Sequence, residues 1–316
     1  MEHREPDITL ISRPTAPAAQ EFCAATGFFD GVHRGHRFLL RQVEMEAARR
    51  GLGRMAVTFG NHPRSVLQPG FRPALLTSSG EKTALLLDGA VDVCALLRFS
   101  HELSALPARD FMEKYLRRRL HVRCLVVGYD HRFGSDRTAG FEDYVSYGRS
   151  CGMEVVRAGV FENAGSTVSS SSIRQALSAG DVEAARSALG RPYALAGTVV
   201  EGRHMGHVLG FPTANLQPSC PDKLVPASGV YAVRAETGGR FFGGMLNIGR
   251  RPTLRNGSDR TVETHLFDFS GDLYGESLTL YFEHRLRDER PFATLDELSR
   301  QLARDAAQAR KLLSLC

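Results

Sequence analysis

Two histidines three residues apart, His33 and His36, open a helical pattern directly after a short apolar run, and Gly27, Gly31 and Gly35 punctuate the same turn. Imidazoles in such a place can donate hydrogen bonds to oxygens that gain charge during displacement at phosphorus. The start of the following helix adds free N–H groups and the positive end of its dipole, both suited to a phosphate. The glycines let the backbone bend and come close to a ligand. In an open α/β sheet, ligands sit beyond the carboxyl ends of the strands, which is where this turn falls.

Two further clusters carry oxygen and nitrogen donors. Ser169, Ser170, Ser171 and Ser172 precede a helical pattern, and four hydroxyls exceed what an N-cap needs. Arg174, on the first turn, suits a bidentate phosphate contact. Farther on, Pro212-Thr213-Ala214-Asn215 sets a hydroxyl and an amide oxygen two residues apart. Hard donors of this kind suit Mg²⁺ carried with nucleotide phosphates. The glycines around them, Gly202, Gly206 and Gly210, read equally well as ordinary turns.

The elements that must position these residues follow two grammars. In the first half, strand-like runs at Phe22–Thr26, Met55–Phe59, Asp92–Leu97, Leu125–Val127 and Val155–Val160 alternate with helical patterns. The helices are placed at about His36–Arg50, Glu81–Asp88, Ala108–Leu120 and Phe141–Cys151. Strand and helix in alternation predict a parallel sheet with crossover helices, an α/β domain. After Leu189-Gly190-Arg191-Pro192 the runs Tyr193–Val200, Val230–Ala235, Phe241–Ile248, Thr261–Phe269 and Ser277–Leu286 are separated only by turns. That pattern predicts an antiparallel β-barrel. A terminal helix is expected from the capping pair Thr294 and Glu297 and the stripe Leu295, Leu298, Leu302, Ala309, Leu313, packed on the barrel. The expected domains are 1–188 and 189–316.

Composition narrows the classes. The 316 residues hold 42% hydrophobic and 24% charged residues, enough for two globular cores and against disorder. No apolar stretch reaches 18 residues, and Met1–Asp7 is polar, so neither a membrane helix nor a signal peptide is expected and the protein is placed in the cytoplasm. The net charge of +5 fits a protein that handles nucleotide phosphates. The basic runs Arg49-Arg50 and Arg117–Arg119 lie late in helices, where cations favour the dipole, and no aromatics interleave with them. Nucleic acid is therefore not expected as a partner, and neither is a membrane; a weak homo-oligomer is left open. The six cysteines show no metal-like spacing and read as reduced thiols.

Gly27-x-Phe29-Asp30-Gly31-Val32-His33-x-Gly35-His36 resembles the signature of the nucleotidyltransferase superfamily, whose paired histidines bind a nucleoside triphosphate. Three later segments narrow the resemblance: Thr58-Phe59-Gly60-Asn61-His62-Pro63, Gly128 to Arg137, and Val168 to Arg174 leading into Gly180-Asp181. In this order they resemble the adenylyltransferase half of the bacterial bifunctional riboflavin kinase/FMN adenylyltransferases. Gly197 to Asn215, Asn247 to Thr253, Val262 to Phe269 and Asp272 to Gly275 resemble the kinase half of the same family.

The resemblance implies a Rossmann-like transferase domain followed by a kinase barrel, making FMN and then FAD from riboflavin and two ATP. It implies ATP phosphates held by His33, His36, Ser169, Ser170, Ser171 and Arg174, and nucleotide or flavin contacts at Gly27, Phe29, Asp30, Gly35, Asp130 and Asp181. For Asp130 and Asp181 a turn or helix-cap role stands beside that one, and His62 either shapes the pocket or ends a strand. In the second half it implies Mg²⁺-ATP at Thr213 and Asn215, with Gly202, Gly210, Pro212 and Asn247 around the nucleotide or flavin. Glu263 would be the general base for the ribityl 5′-hydroxyl. Arg287 is either a flavin or phosphate contact or half of a surface ion pair.

Two departures stand out. Phe28 occupies a position where many family members have Asn, and His207 stands where a basic residue is usual, with Arg203 and His204 nearby to compensate. A superfamily enzyme with another acceptor, such as pantetheine phosphate or a nicotinate nucleotide, is disfavoured by the kinase-like half. A flavin-responsive RNA-binding regulator is disfavoured by the intact His33, His36, Thr213, Asn215 and Glu263.

Overall fold

A computed structural model describes residues 8–14, 20–129, 131–135, 138–161, 168–202, 210–250 and 260–314, and chain contacts divide it into two compact units, Met1–Val168 and Ser169–Cys316. The units divide twenty residues before the boundary expected at 188/189.

The first unit is a six-stranded sheet made of β1 (Ile8–Ser12), β2 (Phe22–Thr26), β3 (Gly53–Phe59), β4 (Val93–Leu97), β5 (Val122–Val127) and β6 (Glu154–Arg157), in the order β1-β4-β3-β2-β5-β6. Strands β2 to β6 are parallel, as their crossover helices require. Alternate side chains serve two cores, as expected for a sheet covered on both faces. Ala24, Met55, Val57, Ala95 and Leu125 pack on one face, and Cys23, Ala25, Ala56, Cys94 and Val126 on the other. The fully parallel sheet read from the sequence needs one amendment: β1 joins β4 antiparallel at the edge. Its five residues half-expose their apolar side chains, with Leu10 at 55%, so they gave no buried-strand signal.

Helix α1 (Arg34–Arg50) buries Leu40, Val43 and Ala47 and ends on Gly51 in the left-handed conformation. It is followed by α2 (Pro63–Leu67), α3 (Ser79–Leu87) and α4 (His101–Ser104). The helix expected over Ala108–Leu120 begins as one short turn, α5 (Ala108–Asp110), and continues as a π-helix over Phe111–Arg119 that ends with the Leu120 N–H on the Tyr115 carbonyl. Helix α6 (Phe141–Cys151) keeps its expected bounds.

The second unit opens with α7 (Ser170–Ala179) and α8 (Val182–Leu189), then forms a closed barrel. Its strands are β7 (Tyr193–Val200), β8 (Ala214–Pro218), β9 (Gly229–Thr237), β10 (Arg240–Arg250), β11 (Arg260–Leu266) and β12 (Ser277–Arg287), ordered β10-β11-β8-β7-β12-β9 and antiparallel throughout. Strand β8 is absent from the expected strands because prolines bracket its few residues. Helix α9 (Leu295–Leu312) covers β9 and β10, with Leu302, Ala306, Ala309 and Leu313 packed near Met245 and Phe267. Leu295, expected in that stripe, is instead 55% exposed on the first turn, one step before the helix reaches the barrel. Thr294 caps the Glu297 N–H as expected, but the Glu297 carboxylate returns to Ala293 rather than to the cap residue.

Helices α7 and α8 belong to the barrel because Arg285 fastens them there. Its guanidinium donates to the carbonyls of Ala179 and Ser228, and the Glu183 carboxylate accepts its backbone N–H. Gly180 lies beneath the same guanidinium at a φ of +81°, where a Cβ would coincide with Arg285 Nη1.

Candidate active sites

Strand β2 lies between β3, which begins one run of strands, and β5, which begins the other, so the sheet's topological switch point falls at the carboxyl end of β2. The loop there carries Gly27, Phe29, Asp30, His33, Gly35 and His36. His33 is the N-cap of α1: its Nδ1 accepts the His36 N–H at 3.3 Å, and the two rings stack with centroids 3.6 Å apart. A Cβ on Gly35 would press the His33 ring at 3.2 Å. The backbone holds positive φ at Phe29 (53°) and at the β-branched Val32 (39°), a local strain of the kind retained at functional loops. Phe29 is buried and sets its ring edge-on to His36.

Asp30 anchors the loop from within. Its buried carboxylate accepts the backbone N–H groups of Leu76 and Thr77 at 3.0 Å each, and the Thr77 hydroxyl receives the Gly31 N–H. The carboxylate thus ties the histidine loop to the segment before α3.

Lys82, on α3 and almost fully buried, was not singled out in the sequence. Its ammonium donates to the carbonyls of Phe28 (3.1 Å) and Phe59 (2.7 Å) and lies 4.2 Å from the centre of the Phe28 ring. Thr58 donates to the same Phe28 carbonyl. The Phe28 departure is therefore absorbed: its ring supports Lys82 and meets His62, which also caps α2. Burial pushes the Lys82 ammonium down to about 8.

Burial, followed by the charges of His33, His131 and Lys82, pushes the His36 imidazole well below its ordinary value, so it is neutral at neutral pH. Its buried Nδ1 has no hydrogen-bond partner among the described residues. His131, also missed in the sequence, stands across the switch point with Nε2 3.5 Å from the Thr26 hydroxyl. Asp130, Arg203, His204 and His207 lie outside the described residues.

In the second unit, Ser169 caps α7 by accepting the Ser172 N–H, while the Ser172 hydroxyl accepts the Ser169 N–H. The cap therefore uses two of the four serines; Ser170 and Arg174 are half-buried and Ser171 is exposed. Asp181 caps α8 through the Ala184 N–H, the helix-cap role left open for it.

On the barrel, strand register places Asn247, Glu263 and Asn215 directly opposite one another on β10, β11 and β8, in one row on one face. Gly202 completes the row's edge: a Cβ there would fall 2.0 Å from the Asn215 amide nitrogen. The carbonyl of Pro212 is tied to His265 Nδ1 at 2.8 Å, which holds the Pro212–Thr213 segment on β11. A cavity of about 400 Å³, lined by Pro212, Thr213, Thr264, Phe269, Asp272 and Tyr274 among others, opens on the opposite face of these strands, since Ala214 and Thr264 alternate with Asn215 and Glu263. Gly210 opens the described segment 210–250 at a φ of +77°. The Arg287 guanidinium is paired in two-pronged fashion with the buried Asp305 of α9, the ion-pair alternative left open for it.

The donor set fits Mg²⁺ as a nucleotide's companion ion: Thr213 and Asn215 offer neutral oxygens, and the side-chain-free Gly202 leaves the Asn215 amide room. Among the described residues no cluster of three or more His, Cys, Asp or Glu could hold a metal on protein ligands alone.

A parallel-sheet module with paired histidines at its switch point, joined to a barrel that carries a polar row and a nucleotide-sized cavity, defines a two-module transferase that works on nucleotide phosphates. Comparison with known proteins gives the particular family. The FAD synthetase family model matches residues 15–172 and the riboflavin kinase model residues 189–313. The bifunctional riboflavin kinase/FMN adenylyltransferase of Escherichia coli K12 is 38% identical over 300 residues, covering 94% of this chain and 95% of the relative. That of Bacillus subtilis is 33% identical, covering 92% of each. The chain belongs to the bifunctional riboflavin kinase/FMN adenylyltransferase family. A crystal structure of a protein named macrolide-efflux protein, from Streptococcus pneumoniae, superposes with a TM-score of 0.86 at 30% identity, over 95% of this chain and 97% of that one. Among the described residues here, no helix is long and apolar enough to cross a membrane.

Proposed function

We propose that the two activities of the family are carried by the residues named above, with the working boundary at 188/189. In the first reaction the barrel phosphorylates riboflavin. Glu263 accepts the proton of the ribityl 5′-hydroxyl as that oxygen attacks the γ-phosphorus of ATP, and ADP departs with the bridging oxygen. Asn247 and Asn215, opposite Glu263 in the same row, orient the reacting groups. Thr213 and Asn215 would hold Mg²⁺, which when bound neutralises phosphate charge. The observation that carries this assignment is the register row Asn247–Glu263–Asn215, with Thr213 two residues before Asn215.

In the second reaction an FMN phosphate oxygen attacks the α-phosphorus of another ATP and pyrophosphate leaves, giving FAD. The nucleophile is already anionic, so no general base is needed. His33 and His36 orient and neutralise the polyphosphate. Gly27, Phe29 and Asp30 shape the loop that presents the histidines. The protein acts in the cytoplasm.

Labelled ATP tests both steps together. With riboflavin as acceptor, γ-labelled phosphate enters FMN and passes into FAD, whereas α-label enters FAD only. Label from the α-position in FMN, or none in either flavin, would refute the scheme.

A further inference from the structure

The floor of the barrel cavity carries an anomaly. Thr264 is fully buried, yet among the described residues its hydroxyl has no hydrogen-bond partner. A buried hydroxyl without a partner is unfavourable to the fold, and native proteins keep few of them. The methyl group of Thr264 is turned toward Gly244 on β10, where a Cβ would stand 3.5 Å from it, so the hydroxyl is not directed at that strand. Thr264 pairs with Ala214 on the other side, and both line the cavity. The apolar Val199, Leu266, Phe269 and Leu273 wall the same space, and Thr213 lines it as well.

We propose that the Thr264 hydroxyl is a nucleotide-binding group, hydrogen-bonded to the nucleoside part of ATP when the kinase is loaded. The inference rests on the reading of this cavity as the kinase's nucleotide site. An apolar slot of this volume suits a nucleoside, since ligand pockets bury most of a ligand among apolar walls with a few fixed polar groups. With Thr213 at the phosphate end, the base and sugar extend over Thr264. The hydroxyl that costs stability in the empty barrel then gains its partner from the substrate.

The isosteric Thr264→Val variant separates this role from a merely structural one, because the two properties should move in opposite directions. Removing an unsatisfied hydroxyl raises the unfolding temperature of the ligand-free protein, by about 3 °C. The KM for ATP in riboflavin phosphorylation rises about tenfold with kcat little changed, as expected for a lost hydrogen bond worth about 1.4 kcal/mol. Thr264→Ser restores the KM. FMN adenylylation in the same preparations stays at the parental rate and certifies that the chain is folded. A Thr264→Val enzyme with parental KM for ATP overturns the inference, as does a change in the KM for riboflavin alone. Absence of riboflavin phosphorylation by the parental protein would instead defeat the underlying reading of the cavity.

Discussion

The Nδ1 of His33 accepts the backbone N–H of His36 while the two imidazole rings stack 3.6 Å apart. Because Nδ1 is the acceptor, the proton of neutral His33 sits on Nε2, so one ring both caps α1 and presents a donor to the switch point. Asn is an equally good cap but too short to present that donor. His33→Asn should therefore leave stability within about 0.5 kcal/mol of the parent and lower FMN adenylylation by about 10²-fold or more. Chemical denaturation beside a transferase assay checks both; equal losses in the two would show that the cap is the residue's whole role.

The depressed His36 imidazole predicts an acid weakness. In the unfolded chain the ring takes a proton near its ordinary 6.5, whereas in the fold burial and the charges of His33, His131 and Lys82 resist it. The associated stability is complete above 6.5 and is lost as pH falls below it toward the folded-state value, by up to about 1.4 kcal/mol per pH unit. Urea midpoints between pH 7.5 and 5.5 should show the first unit weakening, and His36→Gln should flatten that slope. An unchanged slope would assign the acid sensitivity elsewhere.

Asp30 gives a contrasting case. With two backbone N–H groups on its buried carboxylate, Asp30→Ala should cost about 3 kcal/mol and reduce FMN adenylylation, leaving riboflavin phosphorylation intact. Calorimetry with both assays checks it. A normal fold with raised KM values alone would return Asp30 to the role of direct ligand.

Much of this was legible in the sequence, for physical reasons that differ by element. Strands such as Tyr193–Val200 and helix Phe141–Cys151 announce themselves because periodicity and flanking turns agree. The histidine loop is legible because glycines, an acid and two imidazoles crowd ten residues. The edge strand β1 and the proline-bracketed β8 give no such agreement. Lys82 and His131 reach the switch point from distant segments, and nothing local marks a lysine inside a helical pattern as buried. Arg287 shows the converse: its motif drew attention, but its partner Asp305 lies 18 residues on, on a helix face whose register only packing reveals.

The barrel offers a steric test. A methyl group at Gly202 would fall on the Asn215 amide, displacing the oxygen expected to face Mg²⁺-ATP. Gly202→Ala should lower riboflavin phosphorylation at least about tenfold and leave FMN adenylylation unchanged, since 1.4 kcal/mol of lost transition-state contact is tenfold in rate. A fully active variant would remove Asn215 from the site.

The central claim is that one chain holds two separable reaction centres, one built on Glu263 and one on His36. The most direct measurement is a chromatographic time course of flavins with riboflavin, ATP and Mg²⁺ for the parent, Glu263→Ala and His36→Ala. The account predicts FMN and then FAD for the parent, no FMN from riboflavin but normal FAD from supplied FMN for Glu263→Ala, and FMN that accumulates without FAD for His36→Ala. Loss of both products in each variant, or FAD formation that survives in His36→Ala, would contradict it.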